Sequence, residues 1–248
     1  MGYWSIPGNP KRDIKYYKNI TTTTLQLLKD KSIVFFYSEN ETYDYLSHLN
    51  SEGYKIMFIK KRVEDLPTYK ISDSFLNSCK NQDLSSVKDK DKEKEKGYVH
   101  QFRDLNQSDD ETYKKIITIW TSKILLVEQI IDNNPFNTDH FAWVDVSATR
   151  FNVRRIYYTS FIKGKLNAIN TSMHYKGQRM FHGATIMIGD KETWSWMIPL
   201  YKQKIEEEKD SHYGHDEETL MYLIYKEHPE RFVKIRTIEQ ENSGNQRK

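Results

Sequence analysis

A single cysteine, Cys79, stands among 248 residues. That excludes an internal disulfide framework and any zinc site built from several cysteines. No run approaches the roughly 18 consecutive apolar residues of a membrane-spanning helix. The opening "MGYWSIPGNPKRD" has no apolar signal-peptide stretch, so a cytoplasmic setting is expected. Neither sign of charge dominates: 38 basic against 35 acidic side chains give +3, without the concentrated basic stripe of a nucleic-acid binder. There is no P-loop, no G-x-G-x-x-G, no serine nucleophile elbow and no H-E-x-x-H. The commonest nucleotide-binding, hydrolase and metalloprotease readings therefore fall away. No internal repeat is present.

What is present suffices for one sizeable domain. Apolar residues make up 37% and aromatics 13%, enough to build a core. The first third alternates strand and helix patterns. "GYWSI" (2–6) is a short strand closed by the turn signal "PGNP". Residues 16–30 space Tyr17, Ile20, Thr24, Leu27 and Leu28 on one helical face. "SIVFFYSE" (32–39) and "YKIMFIKK" (54–61) are strands, separated by a helix over 41–53 that stops at Gly53. Strand–helix–strand order at this spacing implies parallel strands with right-handed crossovers, an α/β sheet.

From 78 to 110 the pattern dissolves into "SSVKDKDKEKEKG", which has almost nothing to bury and reads as an exposed, mobile insertion. Residues 109–135 form the strongest helix, acidic at its start and apolar on too many positions for one stripe, hence largely buried. "HFAWVDVSAT" (140–149) then reads as a central strand ending on Asp145. A helix over 151–162, a strand in "KLNAIN" (165–170) and the glycine-bounded run 177–190 follow. A helix over 191–209 contains Pro199, and another over 215–232 closes before Pro229. Residues 1–236 are read as the domain and 237–248 as a polar tail.

Three places carry candidate chemistry. Asp145 lies at the carboxyl end of a strand, where open α/β sheets bind ligands, although a turn or helix-capping aspartate has the same pattern. "EEEKDSHYGHDEE" (206–218) brings acids beside His212 and His215. It is either a helix start capped by Asp216 or a source of a general base and a metal ligand. Lys123, inside an apolar helix after Trp120, Thr121 and Ser122, either snorkels to solvent or reaches a phosphate.

Five segments in order carry a resemblance: "GYWSI", "IWTSKILLVEQIIDNNPF", "FAWVDVSATRF", "FHGATIMIGDKETW" and "HDEETLMYLIYKEHPERF". Together they resemble nucleotide-sugar glycosyltransferases of the GT-A fold, and within them the HtrL/YibB-like group. The resemblance implies a single-domain α/β, GT-A-like architecture, with a mostly parallel central sheet flanked by helices. It implies transfer of a sugar from a nucleoside-diphosphate donor, a UDP-sugar foremost, to a glycan or other hydroxyl acceptor. Such chemistry belongs to polysaccharide biosynthesis.

Carried over by residue, Asp145 matches the first acid of an Asp-x-Asp motif, which touches donor ribose or a divalent cation. Lys123, Tyr3 and Trp4 fall on the donor side, and Asp216 or Glu217 matches the late acid beside sugar and acceptor. Ser147 stands where the second acid would be, and a hydroxyl is a poor ligand for Mg²⁺ or Mn²⁺. Asp145 with His212 or His215 would hold such a cation; otherwise Arg150 and Lys123 would neutralise the diphosphate. Two rival readings stay open: a non-catalytic nucleotide- or glycan-binding domain, and a metal-dependent phosphoesterase using Asp145, His212 and His215.

Overall fold

The computed structural model describes residues 1–9, 14–85, 87–151, 161–211, 213 and 216–235. The expected helix over 151–162, His212, His215 and the polar tail lie wholly or mostly outside these residues.

β1 (Gly2–Tyr3), β2 (Ser32–Tyr37) and β3 (Lys55–Lys60) form a parallel sheet in that order. Their crossovers are α1 (Ile14–Leu27) and α2 (Asn40–Leu46), the latter continued by a 3₁₀ segment that Gly53 ends at φ 88°. Glycine, lacking a Cβ, adopts that left-handed backbone at little cost.

α3 (Ser72–Asn81) follows, and the chain then departs from the expected exposed insertion. Within it lie the one-turn helix α4 (Lys96–Tyr98) and a π-helical turn over Val99–Asp104. Glu95, Lys96, Val99, His100 and Asp104 are all buried. Long-range partners explain this: Glu95 accepts from the backbone N–H of Lys176 (2.8 Å) and Gly177 (2.9 Å) and from the Tyr213 hydroxyl. Local charge density carries no trace of donors eighty and more residues away.

α5 (Asp110–Asn133) is the 24-residue spine. The Asp109 carboxylate caps it by accepting from Thr112 N at 2.8 Å, and Asn134 ends it in the left-handed region at φ 36°. The capping carboxylate satisfies an orphan N–H and complements the helix dipole. A buried hydroxyl network fastens α5 to the segment before α3. Thr68 Oγ1 lies 2.7 Å from both Thr121 Oγ1 and Ser122 Oγ, and donates to Thr118 O at 3.1 Å.

β4 (His140–Val144), β5 (Leu166–Ala168), β8 (Ile186–Asp190) and β9 (Phe232–Lys234) make a second sheet, ordered β4-β8-β5-β9. β8 runs antiparallel to both β4 and β5, whereas β5 and β9 are parallel. The expected mostly parallel central sheet is thus corrected to a parallel three-stranded sheet and a mixed four-stranded one. β4 is correspondingly an edge strand of its sheet among the described residues, not a central one. The physical reason is the return path. β8 reaches β4 from the small hairpin of β6 (His174–Tyr175) and β7 (Gln178–Arg179), so it arrives pointing the opposite way.

α6 (Lys191–Glu208) runs through Pro199 without breaking, and α7 (Glu217–Glu227) stops before Pro229. Alternation along the strands sorts the core into two faces. Phe36, Phe141, Trp143 and Met187 pack with α3, α5, α6 and α7. Phe35, Val144, Ile186 and Ile188 pack with α1 and α2 on the other side. Both sheets contribute to both faces, so they form one layer between two layers of helices.

Thr68→Val keeps shape and removes the shared hydroxyl, leaving Thr121 and Ser122 short of a buried partner. We expect a loss of about 1–3 kcal/mol, read from the urea midpoint. An unchanged midpoint would show that the network does not hold α5 in place.

Candidate functional site

Lys123 projects from α5 into a buried ion-pair cluster. Its Nζ lies 2.8 Å from Asp145 Oδ1 and 2.6 Å from Glu217 Oε1. Trp143 Nε1 donates to Asp145 Oδ1 at 2.7 Å, so the carboxylate is held by its own strand and by α5. The Asp145 carboxylate is thus engaged within the cluster while its backbone C=O opens a turn by accepting from Ala148 N at 3.0 Å, and Lys123, 5% exposed, does not snorkel. The spine, the end of β4 and the start of α7 meet at one ammonium group.

A second ammonium lies beside it. Lys96 Nζ is 2.6 Å from Asp216 Oδ2 and 2.6 Å from Glu218 Oε2. Its place at the start of α4 depends on Gly97, whose backbone is packed against Gln82 and Tyr213. A Cβ there would come within 2.6 Å of Gln82 Oε1 and 2.7 Å of Tyr213 Cζ. His100, one helical turn on, sets Nε2 3.1 Å from Asp216 Oδ2 and Nδ1 2.7 Å from the Tyr113 hydroxyl. Tyr113 in turn abuts the Cys79 sulfur, whose thiol is pushed up to about 12 by burial.

The two late acids have separate environments. Asp216 caps α7 by accepting from Thr219 N at 2.8 Å, and it also receives Lys96 and His100. Burial alone would raise its pKa, but Lys96 and His100 hold it well below the usual carboxylate range. Among the described residues Glu217 has one partner, Lys123, on Oε1, and its buried Oε2 has none. Burial raises its pKa to about 7, with the Asp216 and Glu218 charges adding to the rise and Lys123 opposing it. Burial would lower both lysines, yet the paired carboxylates hold both above their ordinary range. Of the four carboxylates, Asp145 (17% exposed) and Glu218 (15%) are the more open. They mark the mouth of the cluster.

Lys123, Asp145, Asp216 and Glu217 are thus brought together, and the other expected site residues lie elsewhere. The Trp4 indole donates to Lys61 O at 2.8 Å and stacks on Phe36 within the core. Tyr3 packs against Tyr17, its hydroxyl pushed up to about 12 by burial. Ser147 is buried, and Arg150 is exposed with its guanidinium over the Phe151 ring. Neither is joined to the cluster by a described hydrogen bond.

His212 and His215 lie outside the described residues. Among those described, no three acidic, histidine or cysteine side chains form a group that could hold a metal ion. The four carboxylates are interleaved with two ammonium groups, and this donor set does not fit Mn²⁺ or Mg²⁺. Sequence reasoning missed Lys96, His100, Glu218 and Trp143. The "KGYVH" that closes the charged run, where aromatic and β-branched residues return, was the available signal.

No family model and no curated protein matches the chain. Among solved structures it is similar to mouse xyloside xylosyltransferase 1 in its apo form, at 10% identity and a TM-score of 0.48. The alignment covers 95% of this chain and 83% of that one. No described helix is long and apolar enough to cross a membrane. That degree of likeness assigns no activity, so a functional reading rests on the side chains.

Lys96→Met strands Asp216 and Glu218 without their cation in a buried setting. Removing one member of such a pair costs about 3–5 kcal/mol, to be read from chemical denaturation. Lys209→Met, at the exposed pair with Glu206, should leave the midpoint unmoved. Equal midpoints for the two variants would show that the buried cluster is not structural.

Proposed function

We propose that the chain is a glycosyltransferase that moves a sugar from a nucleoside-diphosphate donor, a UDP-sugar foremost, to a hydroxyl acceptor. One observation carries the reading. Three segments of the resemblance converge on the Lys123 ammonium, with Asp145 lying 22 and Glu217 lying 94 residues further along the chain. Convergence of this kind is what a site demands and what an ordinary turn or helix face does not produce.

The roles divide by environment. Asp216, doubly engaged and strongly ionised, positions Lys96 and starts α7. Glu217 is the proton acceptor: its Oε2 is free of other bonds, and a pKa of about 7 suits a general base at neutral pH. A buried carboxylate oxygen without a partner is costly, and a catalytic task is one of the few reasons to retain it. As the acceptor oxygen bonds to the anomeric carbon, its proton passes to Glu217 and the carbon–diphosphate bond breaks. Lys123 and Lys96 are the cations available to offset the charge on the departing diphosphate.

Incubation with UDP-, GDP- and dTDP-sugars and a panel of hydroxyl acceptors should release nucleotide from one donor class. Binding without release from any donor would favour a non-catalytic nucleotide- or glycan-binding domain, and failure of every donor to bind would overturn both readings. Glu217→Gln should lower turnover by about 10²–10⁴-fold while the far-ultraviolet spectrum is unchanged.

In the active protein the rate should rise with pH through about 7, as Glu217 loses its proton. Stability should move the other way. The fold favours protonated Glu217, so this group's contribution is full below its unfolded value of 4.5 and is lost as pH rises through about 7. Urea midpoints measured from pH 4.5 to 7.5 test this, with Glu217→Gln as the reference lacking the slope.

A further inference from the structure

The candidate site holds more negative charge than positive. Among the described residues four carboxylates, on Asp145, Asp216, Glu217 and Glu218, surround two ammonium groups, on Lys96 and Lys123. With all four acids ionised, two negative charges are left over. The N-terminus of α7 offsets about half a charge of that excess. The excess is felt at Glu217, whose pKa the Asp216 and Glu218 charges help to raise. A diphosphate brought to the mouth deepens it. The ligand that balances such a set is a cation.

Unused hydrogen-bonding atoms point the same way. Two buried side-chain oxygens here, Glu217 Oε2 and Asn170 Oδ1, have no donor among the described residues. The Glu217 residue is 5% exposed, so the protein keeps one of these acceptors well away from bulk water. A buried acceptor without a donor is costly. An ammonium group has three donors and no acceptor, so it supplies both the hydrogen bonds and the charge. A neutral hydroxyl supplies only the first.

The sheet puts Asn170 beside the cluster. Trp143 of β4 and Ala168 of β5 both pair with Met187 of β8. Two residues further on, Asp145 and Asn170 flank the start of β8 from either side, two strand spacings or about 10 Å apart. Alternation carries them on along the face of Trp143 and Ala168, the face on which α5 and α7 pack. Glu218 reaches the same place from α7, where its Oε1 accepts from Ala184 N at 3.1 Å. Gly183 N donates to Ile169 O at 2.7 Å and draws the two loops together. A Cβ on Gly183 would lie 3.1 Å from Glu218 Oε1 and 3.4 Å from the Asn170 carbonyl oxygen, so any side chain there would crowd both residues.

We propose that Glu218 and Asn170 form a binding site for a primary ammonium group on the acceptor, an amino sugar that presents its hydroxyl to Glu217. Assigning the ammonium to the acceptor rests on the glycosyl-transfer reading; the demand for a cation does not. Glu218 supplies the charge and Asn170 Oδ1 a hydrogen-bond acceptor. The two residues select the acceptor, and its hydroxyl proton still passes to Glu217.

The test compares glucosamine, galactosamine, kanosamine and 6-amino-6-deoxyglucose with their N-acetyl forms, by calorimetry without donor. Acetylation keeps the nitrogen and removes its charge. At least one free amine should bind about tenfold or more tightly than its acetylated form. Glu218→Gln should abolish that preference, Asn170→Leu should reduce it and Asn170→Asp should enlarge it. The two Asn170 variants leave every ion pair of the cluster intact, so they decide the matter if Glu218→Gln alters the far-ultraviolet spectrum. Equal affinities within every pair, or a preference that the variants leave unchanged, would overturn the proposal. Nucleotide release with the donor panel separates the two readings. An amine preference without release from any donor would keep the cation site and sink glycosyl transfer, whereas release with no amine preference would do the reverse.

Discussion

Two buried lysines, each set between two carboxylates, decide what the rest of the molecule can be. Lys123 joins the spine helix to the end of β4 and the start of α7, and Lys96 joins the segment after α3 to the same helix start. Ammonium groups held this far from water are stable only with their anions in place. Every element that delivers an anion is therefore fixed by the same requirement. The hydroxyls of Thr68, Thr121 and Ser122 seat α5 at the level where Lys123 can reach both partners. Gly97 removes the side chain that would keep Lys96 at a distance. Structure and candidate chemistry share one set of contacts, and Glu217, the proposed proton acceptor, sits inside the device that holds the layers together.

How much of this was legible in the sequence depended on whether a signal was local. β2, β3 and α5 announce themselves through their own side chains, in short β-branched and aromatic runs and in a long helix acidic at its start and apolar on too many positions for one stripe. Asp145 and Lys123 could be marked as candidates from strand and helix context, and the order of motifs suggested that they belong together. The separate jobs of Asp216 and Glu217 could not be read, because adjacent acids look alike until one is found with three partners and the other with one.

The charged stretch before residue 100 shows the opposite case. Composition weighs residues by their average behaviour, and a window of lysines and acids averages to solvent. Glu95 and Lys96 escape that average through partners contributed by residues 176, 177, 213, 216 and 218. Sheet order was equally hidden. The apolar pattern of β4 fits a strand covered on both faces, which it is, but the pattern does not record which neighbour lies along its edge. Trp4 illustrates the limit for single residues: an aromatic after the first strand suits a base-stacking position, and here Lys61 O and Phe36 claim it.

Asp216 does two jobs with one carboxylate, starting α7 through Thr219 N and holding Lys96. Natural selection can relax the chemistry of a side chain only when its architecture is carried by another. At this position it cannot: a lineage without the proposed activity would still be obliged to keep the acid, and would carry it forward as a fossil. Persistence of an aspartate here is therefore a record of folding, whatever becomes of the chemistry.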